Sequence, residues 1–185
     1  YVDDGTIDTS NIEESSLGGG IVDGQLAGFT TGTNTICVVY NTEIFDQAGV
    51  EYPDDEWTWS EFLETAKTIY DATGIQSEIP FLSEARWAVE AMVRSYGSDF
   101  FSEDGTAIAW AEDETIKAAV VDTIQKVYEG VQEGYLVDPE VQVAWSATED
   151  YYISQGNAAM SWILSNQYTT YCQALGQELG IVMVP

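Results

Sequence analysis

The stretch Ile36-Cys37-Val38-Val39-Tyr40-Asn41-Thr42-Glu43-Ile44-Phe45-Asp46-Gln47-Ala48-Gly49 decides the fold class. Its first five residues form an unbroken, largely β-branched apolar run of strand length, the pattern of a strand covered on both faces. Asn41 ends the run. Thr42 to Ala48 then reads as a short helix closed by Gly49, because a residue without a Cβ suits the left-handed turn that ends helices. A doubly covered strand feeding directly into a helix points to an α/β fold.

Working downstream, Thr58 and Glu61 form a capping box, in which each side chain satisfies a backbone N–H at the helix start. Trp59, Phe62, Leu63, Ala66, Ile69 and Tyr70 follow at helical spacing until Gly74. Ile79-Pro80-Phe81-Leu82 reads as a short strand, and Ser83 as the cap of a helix from Glu84 to Tyr96. Thr106 to Trp110 reads as a weak strand. Asp113 caps a long helix on which Ile116, Val120, Ile124, Val127 and Val131 make one stripe. Thr148 caps a shorter helix through Tyr152, Asn157 to Ile163 is a strand, Gln167 to Leu175 a helix, and Gly180 to Val184 a last strand. Upstream, Val22 to Phe29 is a hairpin turning on Asp23-Gly24. Helices alternate with continuously apolar strands, so the expected architecture is a central, mostly parallel sheet flanked by helices, in one domain.

Composition narrows the chemistry. The chain has 185 residues, 32 Asp plus Glu, 5 Lys plus Arg and no His, for a net charge of −27. Hydrophobic residues make up 45%, too many for a solvated acidic tail. Like-charge repulsion makes nucleic acids, anionic membranes and anionic small ligands poor partners. The absence of histidine removes Ser-His-Asp and Cys-His catalysis and every His-liganded metal site. No apolar run reaches the roughly 18 residues of a membrane span. Cys37 and Cys172 permit one disulfide at most, and the reading adopted is two buried, unreactive thiols. Asp54-Asp55-Glu56 and Glu103-Asp104-Gly105 lack the alternating spacing of a calcium loop and read as solvated turns. No phosphate loop, C-x-x-C pair or nucleophile elbow is present. No residue is assigned a catalytic or metal-binding role, and no cofactor is expected.

The aromatic residues carry more information. Several fall where loops meet helices: Trp87 after Glu84-Ala85-Arg86, Trp145 before Ser146, and Tyr168 after Asn166-Gln167. In α/β proteins ligands gather beyond the carboxyl ends of strands, where chains enter helices. Flat aromatic faces beside amides, guanidinium and carboxylate suit a neutral polyhydroxylated ligand.

A family resemblance then appears. Tyr40-Asn41 through Phe45 to Ala48-Gly49, followed by Pro53 and Thr58-Trp59-Ser60-Glu61-Phe62, resembles a Y-N-x-x-x-F-x-x-A-G run followed by P and T-W-x-E-F. Gly156-Asn157-Ala158-Ala159-Met160 is similar to a G-x-A-A-M strand, and Gly180 to Pro185 to a strand returning towards a hinge. These are features of the extracellular solute-binding proteins of carbohydrate ABC transporters (family 1, like maltose-binding protein). The resemblance implies a periplasmic-binding-protein-like lobe that binds a sugar or oligosaccharide in an inter-lobe cleft and delivers it to ABC permease subunits. Asn34 matches a polar contact near the hinge. Trp87, with Glu84 and Arg86, matches an aromatic platform. Asn166, Gln167 and Tyr168 match a segment that usually carries a stacking tryptophan; here the tryptophan, Trp162, lies earlier, inside the strand. Trp59 and Phe62 are read as core.

Family members have two lobes and are longer than this chain. The resemblance therefore assigns residues 1–23 to an irregular lead-in from a first lobe and 24–185 to the second lobe, which alone offers half a site and weak binding. The implied location is extracellular, as a cell-surface lipoprotein or in the periplasm, with a processed N-terminus and membrane association only through a lipid anchor outside this segment. The expected state is a monomer. Two other readings are kept: a glycan-active enzyme and an acidic surface interaction module.

Overall fold

A computed structural model describes residues 2, 5–30, 32–79, 85–142 and 147–185, with the backbone alone for Ala85 and Trp87. The chain forms two compact units, Tyr1–Thr35 and Ile36–Pro185.

The first unit holds a short helix α1 (Glu14–Gly18) and a hairpin of β1 (Ile21–Val22) and β2 (Gln25–Leu26). The Asp23-Gly24 turn forms where the sequence puts it. Both central residues have positive φ, 50° and 76°, the twist that a two-residue hairpin requires and that Asp-Gly tolerates. Among the described residues of this unit none is buried.

The second unit has a four-stranded sheet in the order β4-β5-β3-β6, from β3 (Ile36–Tyr40), β4 (Gln76–Glu78), β5 (Ala158–Leu164) and β6 (Gly180–Met183). The helices are α2 (Thr42–Ala48), α3 (Trp59–Thr73), α4 (Ala85–Ser95), α5 (Glu114–Glu133), α6 (Pro139–Gln142) and α7 (Tyr168–Leu175). The α/β class is as expected, and the sheet is mixed in detail. β4 pairs with β5 in parallel, while β3 lies antiparallel to both β5 and β6. Three strands thus run the same way and only β3 is reversed.

Both faces of the sheet are covered, which is why β3 is apolar throughout. Val38 and Tyr40 join Met160, Trp162 and the helices α3, α4 and α5 in one core cluster. Cys37 and Val39 join Ile163, Ile153, Tyr171 and Leu179 in a second cluster on the other face. β5 changes parity at a bulge: Gln76 pairs with Ala158 but Glu78 with Ser161, one residue more on β5. The consequence is that neighbours Ala159 and Met160 both belong to the first cluster.

The helix signals of α2, α3 and α5 hold. Thr58 Oγ1 accepts from the Glu61 amide and Glu61 Oε2 accepts from the Thr58 amide, completing the capping box of α3. Asp113 accepts from the Thr115 and Ile116 amides at the start of α5. Gly49 and Gly74 close α2 and α3 in the left-handed conformation. Trp57, Trp59, Phe62 and Trp162 pack edge-to-face and tilted, with centroids 5.0 to 6.3 Å apart. Trp59 and Phe62 are therefore core, as expected.

Three expectations are corrected, and a strand the sequence does not announce forms at Gln76–Glu78, against the β5 backbone and with a parallel bridge from Ser77 to Leu136; of the expected strand Ile79–Leu82 only Ile79 is described. Ile79 is buried beyond the end of β4, and residues 80–84, including Ser83, lie outside the described residues. Thr106–Trp110 is not a strand but a turn running into a 3-10 helix, Ala109–Glu112. Among the described residues no strand lies alongside it; Asp104 instead accepts from Ser102 Oγ and from the Thr106 amide and hydroxyl. The helix expected after Thr148 is two 3-10 turns, Thr148–Asp150 and Tyr152–Gln155. Ile124, expected in the buried stripe of α5, is 42% exposed.

The two cysteines are free thiols in the same cluster, Cys37 buried and Cys172 half-buried. Burial pushes the Cys37 thiol up, which keeps it protonated and unreactive. Among the described residues no helix is long and apolar enough to cross a membrane.

Candidate ligand-binding site

Because β4 and β5 are parallel neighbours, their carboxyl ends point the same way. Arg86 and Trp87 follow β4 in the first turn of α4, and Asn166, Gln167 and Tyr168 follow β5. The antiparallel β3 starts at the carboxyl end of β5, with Ile36 opposite Leu164. Glu84 lies outside the described residues, as do Trp145 and Ser146, and for Trp87 the backbone alone is placed. Asn34 belongs to the first unit and is exposed there.

The side chains of these segments differ in what they have left to offer. Arg86 is exposed and pairs with Glu90 at 3.9 Å, while the same Glu90 holds Arg94 at 3.0 Å. So loose an exposed pair contributes little to stability and leaves the guanidinium fork available. Asn166 is exposed within the 3-10 turn Ser165–Gln167. Gln167 Oε1 accepts from the Leu164 amide at 3.0 Å, which fixes the turn and leaves the side-chain nitrogen as a donor. Tyr168 turns inward. Its ring packs against the second core cluster and its hydroxyl donates to the Leu179 carbonyl at 2.7 Å. Burial, with the Cys172 thiol beside it, pushes that phenol up to about 12.

The sequence reading missed a further segment. Leu136 bridges Ser77 in parallel, so the chain from Asp138 to Gln142 leaves the sheet the same way. Gln142 is buried, with Nε2 donating to the Val137 carbonyl and Oε1 without a partner among the described residues. Nothing in Pro139-Glu140-Val141-Gln142 marks it, because its position depends on a one-residue bridge 59 positions removed in sequence (136 minus 77).

A second missed group is Glu78. It is fully buried on the Ser161 side of the sheet. Oε2 accepts from the Tyr152 amide at 3.1 Å and Oε1 from the Ile153 amide at 3.3 Å, so the carboxylate holds the start of the 3-10 turn Tyr152–Gln155. Burial outweighs these bonds and the Ser161 hydroxyl, raising the carboxyl to about 7. Sealed from solvent, it cannot touch a ligand. The exposed acids behave differently: Ser102, followed by Thr106, holds Asp104 down to about 2 in its solvated turn. Among the described residues no group of acids and cysteines is arranged to hold a metal ion.

A sheet covered on both faces, with parallel strands β4 and β5 ending on one side, is the arrangement in which α/β proteins carry ligand sites. Residues 1–177 match the profile of the bacterial extracellular solute-binding proteins, and the chain belongs to that family. The family is one of binding proteins, not enzymes. An arabinooligosaccharide-binding protein of Halalkalibacterium halodurans is 34% identical over 84 residues, 45% of this chain and 18% of that protein. An ABC substrate-binding protein from Listeria monocytogenes, in complex with cycloalternan, superposes with a TM-score of 0.78 at 21% identity, over 98% of this chain and 45% of that one. Maltose-bound MalE3 of T. maritima superposes with a TM-score of 0.75 at 16% identity, over all of this chain and 46% of that one. The chain therefore spans under half the length of the solved structures it matches and about a fifth of the curated relative.

Proposed function

We propose that this chain is the second-lobe portion of an extracellular sugar receptor that passes a sugar or oligosaccharide to ABC permease subunits, without catalysis of its own. The observation that supports the reading is the parallel β4–β5 pair, whose carboxyl ends point the same way and precede Arg86–Trp87 and Asn166–Gln167 in the sequence. In this reading an aromatic, a guanidinium and two amides from these segments meet the needs of vicinal hydroxyls and C–H faces. The similarity to an arabinooligosaccharide-binding protein and to receptors solved with cycloalternan or maltose supports a carbohydrate ligand. In this reading Arg86, Trp87, Asn166 and Gln167 contact the sugar, with Glu84 beside them. Asn34 is assigned a contact by its motif alone, and Tyr168 helps through packing more than through its committed hydroxyl. The protein works outside the cell, in the periplasm or tethered by a lipid anchor carried outside residues 1–185, as a monomer kept soluble by its negative charge.

Isothermal titration with malto-, xylo-, galacto- and arabino-oligosaccharides tests this. The expected result is weak binding by residues 1–185, since one lobe offers half of a closing cleft; sub-micromolar affinity would overturn the half-site reading. A reducing-sugar assay on the same panel should show no turnover, and turnover lost on a carboxylate-to-amide change would favour a glycan-active enzyme.

A further inference from the structure

Among the described residues Glu78 is the one acid sealed inside the fold, and its partners lie on a different element. It ends β4, yet its two oxygens accept from the amides of Tyr152 and Ile153, 74 and 75 positions further along the chain. These bonds fasten the 3-10 turn Tyr152–Gln155 to the sheet just before the chain enters β5 at Ala158. The turn is weak in itself. It has four residues, 3-10 geometry makes poorer hydrogen bonds than the α-helix, and the Ser154 hydroxyl is buried within it without a partner among the described residues. Apolar contacts hold it down: Ile153 is buried, and the Tyr151 ring stands edge-on to Tyr171 of α7 at 5.5 Å.

No cation faces the carboxyl group. All five cations of the chain, Lys67, Arg86, Arg94, Lys117 and Lys126, are on exposed side chains paired with other acids. The groups around Glu78 are the Ser161 hydroxyl of β5, Tyr171 of α7 and Tyr151 of the fastened segment. Burial, then Tyr151 and Glu78 beside it, pushes the Tyr171 phenol up, so it stays neutral. Glu149 and Asp150, at the head of the same segment, are themselves acids and neutralise nothing. Amides and hydroxyls soften a buried negative charge but do not cancel it, so the ionised form carries a cost that hydration removes. We propose that Glu78 is a pH-sensitive latch on residues 148–155, closed while its carboxyl is neutral and released locally, with the sheet intact, as the group ionises. The proposal concerns groups enclosed by this unit and does not depend on the sugar-binding reading.

The sign follows from linkage. In the opened segment the carboxyl is hydrated and titrates at its ordinary 4.5, against about 7 when latched. Below pH 4.5 the latch is unaffected; from there to about pH 7 the opening constant rises, by up to about 300-fold for this difference. The entry to β5 is therefore tight in acid and loose towards neutrality.

Amide hydrogen exchange of the 185-residue chain, followed by NMR from pH 4 to 8 and expressed as protection factors, tests this. Tyr152 and Ile153 should lose protection by more than about a hundredfold over that range, and in Glu78→Gln, which cannot ionise, their protection should be flat. Parallel pH curves for the two proteins would overturn the proposal. A second measurement needs no variant: at pH 7.5, urea below the unfolding transition should barely change exchange at Tyr152 and Ile153 while steeply speeding it at Val38 and Val39 in the central strand. If all four amides share one urea slope and one opening free energy, the turn comes free only when the whole fold does, and the latch is refuted.

Discussion

Replacing Glu78 by glutamine should remove a fall in stability that the unmodified protein shows between about pH 4.5 and pH 7.5. Burial raises the Glu78 carboxyl from its ordinary 4.5 to about 7 in the fold. Below pH 4.5 the group is protonated in both folded and unfolded chains and has no effect on their balance. As the pH rises, the unfolded chain ionises first and is favoured; above about 7 the folded chain ionises too, and the difference stops growing. At about 1.4 kcal/mol per pH unit, the gap amounts to about 3 kcal/mol of stability present in acid and lost by neutrality. For a chain of this size that is a shift of roughly 6–12 °C in melting temperature. Glutamine keeps the shape but offers one oxygen to the two amides of Tyr152 and Ile153, so it adds a constant offset of about 1–3 kcal/mol. The decisive quantity is therefore the difference between the two proteins as a function of pH. Urea unfolding followed by tryptophan fluorescence at half-unit steps measures it, and the other carboxylates cancel to first order. A difference curve flat to within about 0.5 kcal/mol from pH 4.5 to 7.5 would refute the buried-acid reasoning.

Other consequences of the packing are equally direct. Gly180 sits opposite Tyr40, and a Cβ there would run into the Tyr40 ring; Gly180→Ala should cost about 1–3 kcal/mol in urea unfolding, and adding Tyr40→Val should recover most of it. Thr58→Ala removes one half of the capping box and should lower stability by about 1 kcal/mol. Trp59→Ala opens the aromatic cluster and should cost about 3–5 kcal/mol. Trp87→Ala in the intact receptor should abolish most carbohydrate binding with its melting temperature kept, and equal loss of folding in the two tryptophan variants would refute that division of roles.

Much of this fold is legible locally. The β3 run, its Asn41 and Gly49 boundaries, the Thr58–Glu61 box and the Asp113 cap each place an element through bonds spanning a few residues. What was misread depends on distant partners. Gln76-Ser77-Glu78 is too polar to announce a strand, and becomes one because β5 and Leu136 flank it and two amides from Tyr152 and Ile153 receive its acid. Thr106–Trp110 has the composition of a strand but, among the described residues, no edge to join. Ile124 has the spacing of a core residue, yet α4 and α5 leave it at the rim of a groove.

The candidate site divides the same way. The residue types and their motif order, Arg86-Trp87 and Asn166-Gln167-Tyr168, were visible as text. That Tyr168 spends its hydroxyl on Leu179, and that Asp138 to Gln142 follows a parallel bridge to β4, was not. By itself the sequence determined those elements that carry their own caps, periods and closing glycines, since these act within a few residues. Only the tertiary structure decided which strands lie side by side, which polar groups are sealed inside, and which apolar stripe faces water. Those depend on pairings between residues tens of positions apart, whose energies no local pattern records.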